Sequence, residues 1–135
     1  MKFSAKEQYG LRAMVELARR YGEGPISLHT VAQSQAISLA YLEQVIVPLR
    51  AAGLLDSTRG ASGGYVLARN PSSVTVGDVL RALGGALVSF ACVSDGSRAP
   101  CKRGAGSCAA RQVWEQVQGR VSEALDATTL ADLCQ

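Results

Sequence analysis

The sequence predicts a mainly α fold with one small β-hairpin and a long C-terminal helix. Three observations predict it. Ser27 and Ser38 each precede an apolar pattern at helical spacing, so two short capped helices follow one another across Gln33-Ser34-Gln35-Ala36. Leu54–Thr58 and Tyr65–Ala68 are short strand-like runs, joined by six residues of which three are glycine. Ala110, Trp114, Val117, Val121 and Leu125 share one stripe of a helix expected from about Cys108 to Leu125.

Each element has a local cause. Ser4-Ala5-Lys6-Glu7 has the form of a capping box, and Leu11, Met14, Val15, Ala18 and Tyr21 continue it as an amphipathic helix. Gly22, Gly24 and Pro25 stop it. Ser27 opens the second helix, with Leu28, Val31 and Ala32 inward. Ser38 opens the third, with Leu42, Val45, Ile46 and Leu49 inward and Gly53 at its end. Pro48 predicts a kink or loosening near Gln44, whose carbonyl loses its donor. After the hairpin, Thr75-x-x-Asp78 starts a fourth helix with Val76, Val79, Leu80 and Leu83, closed by Gly84-Gly85. The long helix would span roughly 27 Å. Its alternating spacing is the seam of two helices side by side, and Trp114 at its centre favours a contact between subunits. Thr129 to Leu133 reads as a short terminal turn.

With 135 residues the chain holds a single core. Its 47% hydrophobic and 19% charged residues argue for a folded protein over a disordered one. No apolar run approaches the roughly 20 residues that span a bilayer, and the N-terminus lacks a signal-peptide core. A cytoplasmic location without a membrane partner is therefore expected, where thiols or metal thiolates outnumber disulfides. Residues 1–70 carry eight Lys/Arg against five acids, whereas residues 71–135 carry six of each. The basic excess in the first half suits a phosphate-facing module, although a solvated surface gives the same count. His29 is the only histidine and falls in a helix, so no acid–base set is assembled and an enzyme is not expected.

Two short helices, a tight turn and a glycine-tipped hairpin make a winged helix-turn-helix, a fold that reads DNA. With its apolar stripe inward, the third helix turns Ser38, Leu39, Ala40, Glu43, Gln44 and Arg50 outward. Gln44 can pair with adenine and Glu43 can accept from cytosine. At the hairpin tip, Arg59 is flanked by glycines that let the backbone approach phosphate.

Cys92, Cys101 and Cys108 stand in a stretch rich in Ser, Gly, Arg, Lys and Ala that offers little core. Cysteines in such a loop can hold a soft metal. Arg98, Lys102, Arg103 and Arg111 outnumber Asp95 there, which favours an anionic thiolate-bound centre. Zinc and a redox disulfide are the rival chemistries, although zinc loops usually contain a closer cysteine pair. Cys134, near the terminal turn, reads as a packing residue.

Four segments together resemble the IscR, NsrR and CymR group of bacterial transcriptional regulators. They are Ile37-Ser38-Leu39-Ala40-Tyr41-Leu42-Glu43-Gln44, Leu49-Arg50-Ala51-Ala52-Gly53-Leu54, Arg59-Gly60-Ala61-Ser62-Gly63-Gly64-Tyr65 and the tail from Val113-Trp114 to Leu133. The resemblance runs along essentially the whole chain. It implies a homodimer with crossed C-terminal helices, recognition helices in successive major grooves of a pseudo-palindromic operator, and wings at the minor groove. The DNA-binding set becomes Ser38, Leu39, Ala40, Tyr41, Glu43, Gln44, Arg50, Arg59, Gly60, Ser62 and Gly63. In the branch that senses iron–sulfur status or nitric oxide, three loop cysteines bind a cluster, which implies Cys92, Cys101 and Cys108 as ligands. Eight and six residues separate them. The fourth ligand and the choice of two or four irons stay open. Where one branch has a histidine, this chain has Arg111. Where another takes a carboxylate from the partner's first helix, this chain has Gln8, with Glu7 beside it.

The expected division is 1–85 as the winged helix-turn-helix, 86–107 as the cysteine-bearing loop, and 108–135 as the dimerisation helix and terminal turn. The leading expectation is a repressor whose operator binding follows an iron–sulfur cluster, redox, nitric oxide or iron status. The alternatives are a cluster-free regulator of the CymR kind, controlled by a protein partner in cysteine or sulfur metabolism, and a zinc or iron–sulfur module without DNA binding.

Overall fold

Serine side chains start the first three helices. In the computed structural model, which describes residues 3–84 and 108–135, Ser4, Ser27 and Ser38 accept from the backbone N–H groups of Glu7, Thr30 and Tyr41. These bonds satisfy donors that a helix leaves open in its first turn. The helices are α1 (Ala5–Arg19), α2 (Leu28–Gln35) and α3 (Leu39–Ala51). The wing follows as β1 (Leu55–Thr58) and β2 (Gly64–Leu67), then α4 (Val76–Gly84), α5 (Ala109–Ala127) and the single turn α6 (Leu130–Leu133).

The core sits where α1, α3 and α4 meet and closes on the base of the wing. Met14, Val31, Leu42, Val45, Leu49, Leu54, Leu55, Val74 and Val79 are fully buried. Inward residues of α3 and α4 are those the periodicity predicts. In α1 the buried face is turned relative to the expected one: Gly10, Ala13, Met14, Leu17 and Ala18 are buried, Leu11 and Val15 are half-buried, and Tyr21 is exposed. Small residues cause the turn. At Gly10 any side chain would collide with Leu83, so close approach of α4 selects that face over the one bearing larger side chains.

Pro48 does not interrupt α3, which runs continuously to Ala51. It lies in the last turns, and the carbonyl it deprives belongs to Gln44, an exposed residue within reach of water. Gly53, at φ +77, ends the helix: its N–H donates to Arg50 O at 3.0 Å, and Leu54 N–H donates to Leu49 O at 3.1 Å. That pair of bonds satisfies the last carbonyls and turns the chain into β1.

Between α2 and α3 the same job falls to Ala36, at φ +53, the one described non-glycine residue with positive φ. Ile37 N–H donates to Ala32 O at 3.0 Å across this turn. A Cβ in the left-handed region is strained, so Ala36→Gly should raise stability by about 0.5–1 kcal/mol despite glycine's greater freedom when unfolded. Urea unfolding monitored by helicity measures it, and a lower midpoint would contradict the strain assigned to this turn.

A buried polar group joins these helices. Glu16, 8% exposed, accepts from Arg20 Nε at 2.9 Å and Gln35 Nε2 at 3.2 Å. Arg12 bonds the carbonyl of Gln35 and lies 5.4 Å over the Tyr9 ring. Tyr9 meets Tyr41 of α3 edge-on, with centroids 5.7 Å apart. The end of α2 and the start of α3 are thereby fixed to α1, which sets the direction in which α3 projects.

The terminal turn belongs to the same core. Leu130 is wholly buried and its N–H donates to Val74 O at 2.9 Å, while Val76 N–H donates to Thr128 O at 2.8 Å. Thr75 with Asp78 and Thr129 with Asp132 form full capping boxes. The Thr129 bonds hold the Asp132 carboxyl below its ordinary value. Arg81 of α4 reaches both carboxylate oxygens of Asp126, at 2.7 and 2.6 Å. Both side chains are 43% exposed, so the pair is worth about 1 kcal/mol at most. At Gly77 a side chain would strike that same carboxylate. The C-terminal end of α5 is thus tied to α4, whereas no residue along α5 is buried.

Candidate nucleic-acid interface

On α3 the polar side is accessible. Ser38, Leu39, Ala40, Glu43, Gln44 and Arg50 are exposed, opposite the buried Leu42, Val45, Ile46 and Leu49. Tyr41 differs: it is half-buried and packs on Tyr9, so its ring supports the first turn of α3. Sequence reasoning passed over Val47, which is 67% exposed. The signal was available, because Val47 follows Gln44 by three positions and Ala40 by seven, continuing the outward stripe.

Beside that stripe stands the wing. Leu55 pairs with Leu67, Asp56 with Val66, Ser57 with Tyr65 and Thr58 with Gly64. The loop is therefore 59–63, one residue shorter than expected, because Gly64 enters the ladder. Arg59, Gly60 and Ser62 are exposed at its tip and Gly63 is half-buried. Gly60 takes φ +112, and Gly63 N–H donates to Gly60 O at 3.0 Å. A side chain at Gly63 would collide with the Thr58 carbonyl, so this tight tip requires glycine there.

A third strand-like contact, unmarked in the sequence, supports the wing. Ile26 N–H donates to Tyr65 O at 3.0 Å and Tyr65 N–H donates to Ile26 O at 2.8 Å. One isolated residue between Pro25 and a helix cap carries no strand periodicity, so only the fold exposes this pairing. Gly64 is obligatory here as well, because the Ile26 backbone occupies the place of its Cβ. A cleft of about 390 Å³, lined by Leu28, Glu43, Ile46, Val47, Arg50 and Tyr65, separates the outer flank of α3 from β2. Helix stripe, cleft and wing form a surface that carries the exposed Glu43, Gln44, Val47 and Arg50.

Of the three loop cysteines, Cys92 and Cys101 lie outside the described residues. Cys108 is half-buried at the N-cap of α5, where its side chain makes no capping hydrogen bond. Arg111 is engaged with Glu115 at 2.9 Å, which reduces the positive charge expected beside the loop. Glu7 packs its carboxylate against Gly84, and Gln8 donates from Nε2 to Phe3 O at 2.9 Å. His29 is exposed. Cys134 packs against the core with its thiol 3.1 Å from Leu130 O. Among the described residues no group of three His, Cys, Asp or Glu side chains is placed to hold a metal ion. None of their helices is long and apolar enough to cross a membrane. On α5, Ala110 and Trp114 are exposed and Val117, Val121 and Leu125 are half-buried.

Known proteins share this arrangement. The structure of CymR, described as the global cysteine regulator of B. subtilis, superposes with a TM-score of 0.84 at 43% identity, over 99% of this chain and 96% of that one. T. potens IscR superposes at 0.79 and 43% identity, over 98% of this chain and 85% of that one. In sequence, the HTH-type transcriptional regulator CymR of Bacillus subtilis (strain 168) is 45% identical over 133 residues, covering 98% of this chain and 89% of its own. The HTH-type transcriptional regulator IscR of Aliivibrio salmonicida is 35% identical over 133 residues, covering 98% and 77%. These relatives are regulators of transcription and not enzymes. The Rrf2 family, described as an iron-dependent transcriptional regulator, matches residues 3–135, and with the winged helix and these relatives in agreement the chain belongs to that family.

Proposed function

We propose that this regulator binds a pseudo-palindromic operator as a homodimer, in the cytoplasm, and represses transcription there. The carrying observation is the outward stripe of α3 standing across a cleft from Tyr65 of the wing. In this reading residues 1–85 contact DNA, 86–107 hold a regulatory centre, and 108–135 form the dimer seam and the closing turn. Gln44 and Glu43 read base edges in the major groove. Ser38, Leu39, Ala40, Tyr41 and Arg50 line the approach to the duplex, and Arg59 with Gly60, Ser62 and Gly63 meets the backbone at the minor groove.

Substitutions separate the two kinds of contact. Arg59→Ala should weaken binding to all sequences and flatten the salt dependence by about one phosphate contact per subunit. Gln44→Ala or Glu43→Ala should cost about 1–3 kcal/mol of discrimination at particular base pairs. Footprints should show an imperfect palindrome with half-sites about one helical turn apart. Titrations at several salt concentrations against a selected site decide this. A single asymmetric half-site, or equal losses on every sequence for Gln44→Ala, would remove the assignment.

The signal we assign is an iron–sulfur cluster held by Cys92, Cys101 and Cys108, with the fourth ligand unassigned. Soft thiolates suit such a cluster. The Cys108 side chain is uncommitted to capping, and its place at a helix N-terminus suits an anionic group. When bound, the cluster would supply sensitivity to oxidants, nitric oxide or iron supply. This chain's own contribution is Cys108 on a helix tied through Asp126 to α4, so a change at the loop can reach the winged-helix body. A second reading is a regulator controlled through a protein partner in sulfur metabolism. The 45% identity to B. subtilis CymR supports it, as the 43% identity to T. potens IscR supports the cluster reading.

A further inference from the structure

We propose that Val47 is a base-reading residue of α3, making apolar contact with the 5-methyl group of a thymine in the major groove. The inference rests on the DNA-binding reading above and adds a specificity element to it. Val47 is 67% exposed, more than any other large hydrophobic residue among those described. It shares the outward stripe with Ala40, Glu43 and Gln44, opposite the four buried residues of α3.

Packing among the described residues does not explain Val47. It touches the rim of the cleft with Ile46, Arg50 and Tyr65, yet most of its side chain faces solvent. Intrinsic preference does not explain it either, because a β-branched side chain is a weaker helix former than the alanines or glutamine nearby. Its neighbours at three and four positions are Glu43, Gln44, Arg50 and Ala51, which are polar or small. Val47 and the apolar cleft rim beside it (Leu28, Ile46 and Tyr65) make a small spot among polar neighbours, far smaller than a protein partner requires. On the floor of the major groove the apolar feature of matching size is the thymine methyl group.

Spacing makes the inference specific. Val47 lies about 4.5 Å further along the helix axis than Gln44, comparable with the rise of about one base pair. The thymine it reads should therefore lie one or two base pairs from the position read by Gln44. Burying one methyl-sized group corresponds to about fourfold in affinity per half-site, from about 0.8 kcal/mol per buried CH2 at 1.4 kcal/mol per tenfold.

The test removes that methyl group and nothing else. A site is selected from a random pool with the full wild-type chain, and each thymine is then replaced singly by deoxyuridine. One position per half-site should lose about fourfold in wild-type affinity, and Val47→Ala should bind thymine and uracil equally at that position. Sensitivity elsewhere and the dependence on Arg59 should be unchanged in the variant. Wild-type binding that is indifferent to uracil at every position would overturn the inference while leaving DNA binding intact. Equal uracil sensitivity in wild type and Val47→Ala would overturn it too. If the wild type selects no site, the DNA-binding reading fails and this inference fails with it.

Discussion

Trp114→Asp should break the proposed homodimer into monomers or aggregate, with loss of operator binding. The reason lies in what α5 leaves uncovered. Its 19 residues extend about 28 Å, yet none is buried, and Val113 and Trp114 are 52% and 41% exposed. Among the described residues its ties to α4 and the core lie toward its C-terminal end, and an amphipathic helix of this length suits packing against a second copy. Placing an unpaired carboxylate in that seam should cost several kcal/mol of association. Trp114→Phe keeps an aromatic ring and should remain dimeric. The Arg81–Asp126 tie and the Leu130 anchor lie away from Trp114, so the winged-helix body should keep its helicity. Sedimentation with circular dichroism checks both halves, and a folded dimer of Trp114→Asp would show that the seam is elsewhere.

Protein prepared without oxygen should be coloured and contain iron and sulfide. Alanine at Cys92, Cys101 or Cys108 should bleach it. The effect should be near complete for each, because a cluster that loses a thiolate ligand is exposed to solvent and to further loss. Cys134→Ala is the internal control: its sulfur is occupied with Leu130 O at 3.1 Å and packs on the core, so colour should persist. Absorption spectra with iron, sulfide and zinc counts distinguish the outcomes. Stoichiometric zinc without iron or sulfide would replace the cluster by a zinc centre. Colourless, metal-free protein that still binds its operator would favour control through a protein partner.

Much of the fold was legible because its signals are local. Ser4, Ser27, Ser38, Thr75 and Thr129 start helices through side-chain bonds that reach only three residues along the chain. The stripe Leu42, Val45, Ile46 and Leu49 follows from helical period alone, and so does the exposed face with Glu43 and Gln44. The glycine-rich tip announced the wing because a tight turn needs residues without a Cβ. The Arg111 pair with Glu115 was readable in principle as an i,i+4 spacing.

Other features needed partners distant in sequence. Gly10 selects the buried face of α1 only because Leu83 approaches it, and Ile26 becomes part of the wing only because Tyr65 lies alongside. Tyr41 is half-buried only because Tyr9, 32 positions earlier in the chain, meets its ring edge-on. Leu130 looked like one residue of a terminal turn, yet it is buried because Val74 and Thr75 pair with the segment that carries it. The sequence by itself determined where helices start and stop, which stripe of α3 turns outward, and which residue types are present for the proposed DNA contacts and metal centre. Only the tertiary structure decided which face of α1 is core, how the wing is braced and how α5 is tied to the body. Caps and periodicity act within a few residues, whereas close packing is settled by side-chain volumes that meet only after the chain has folded.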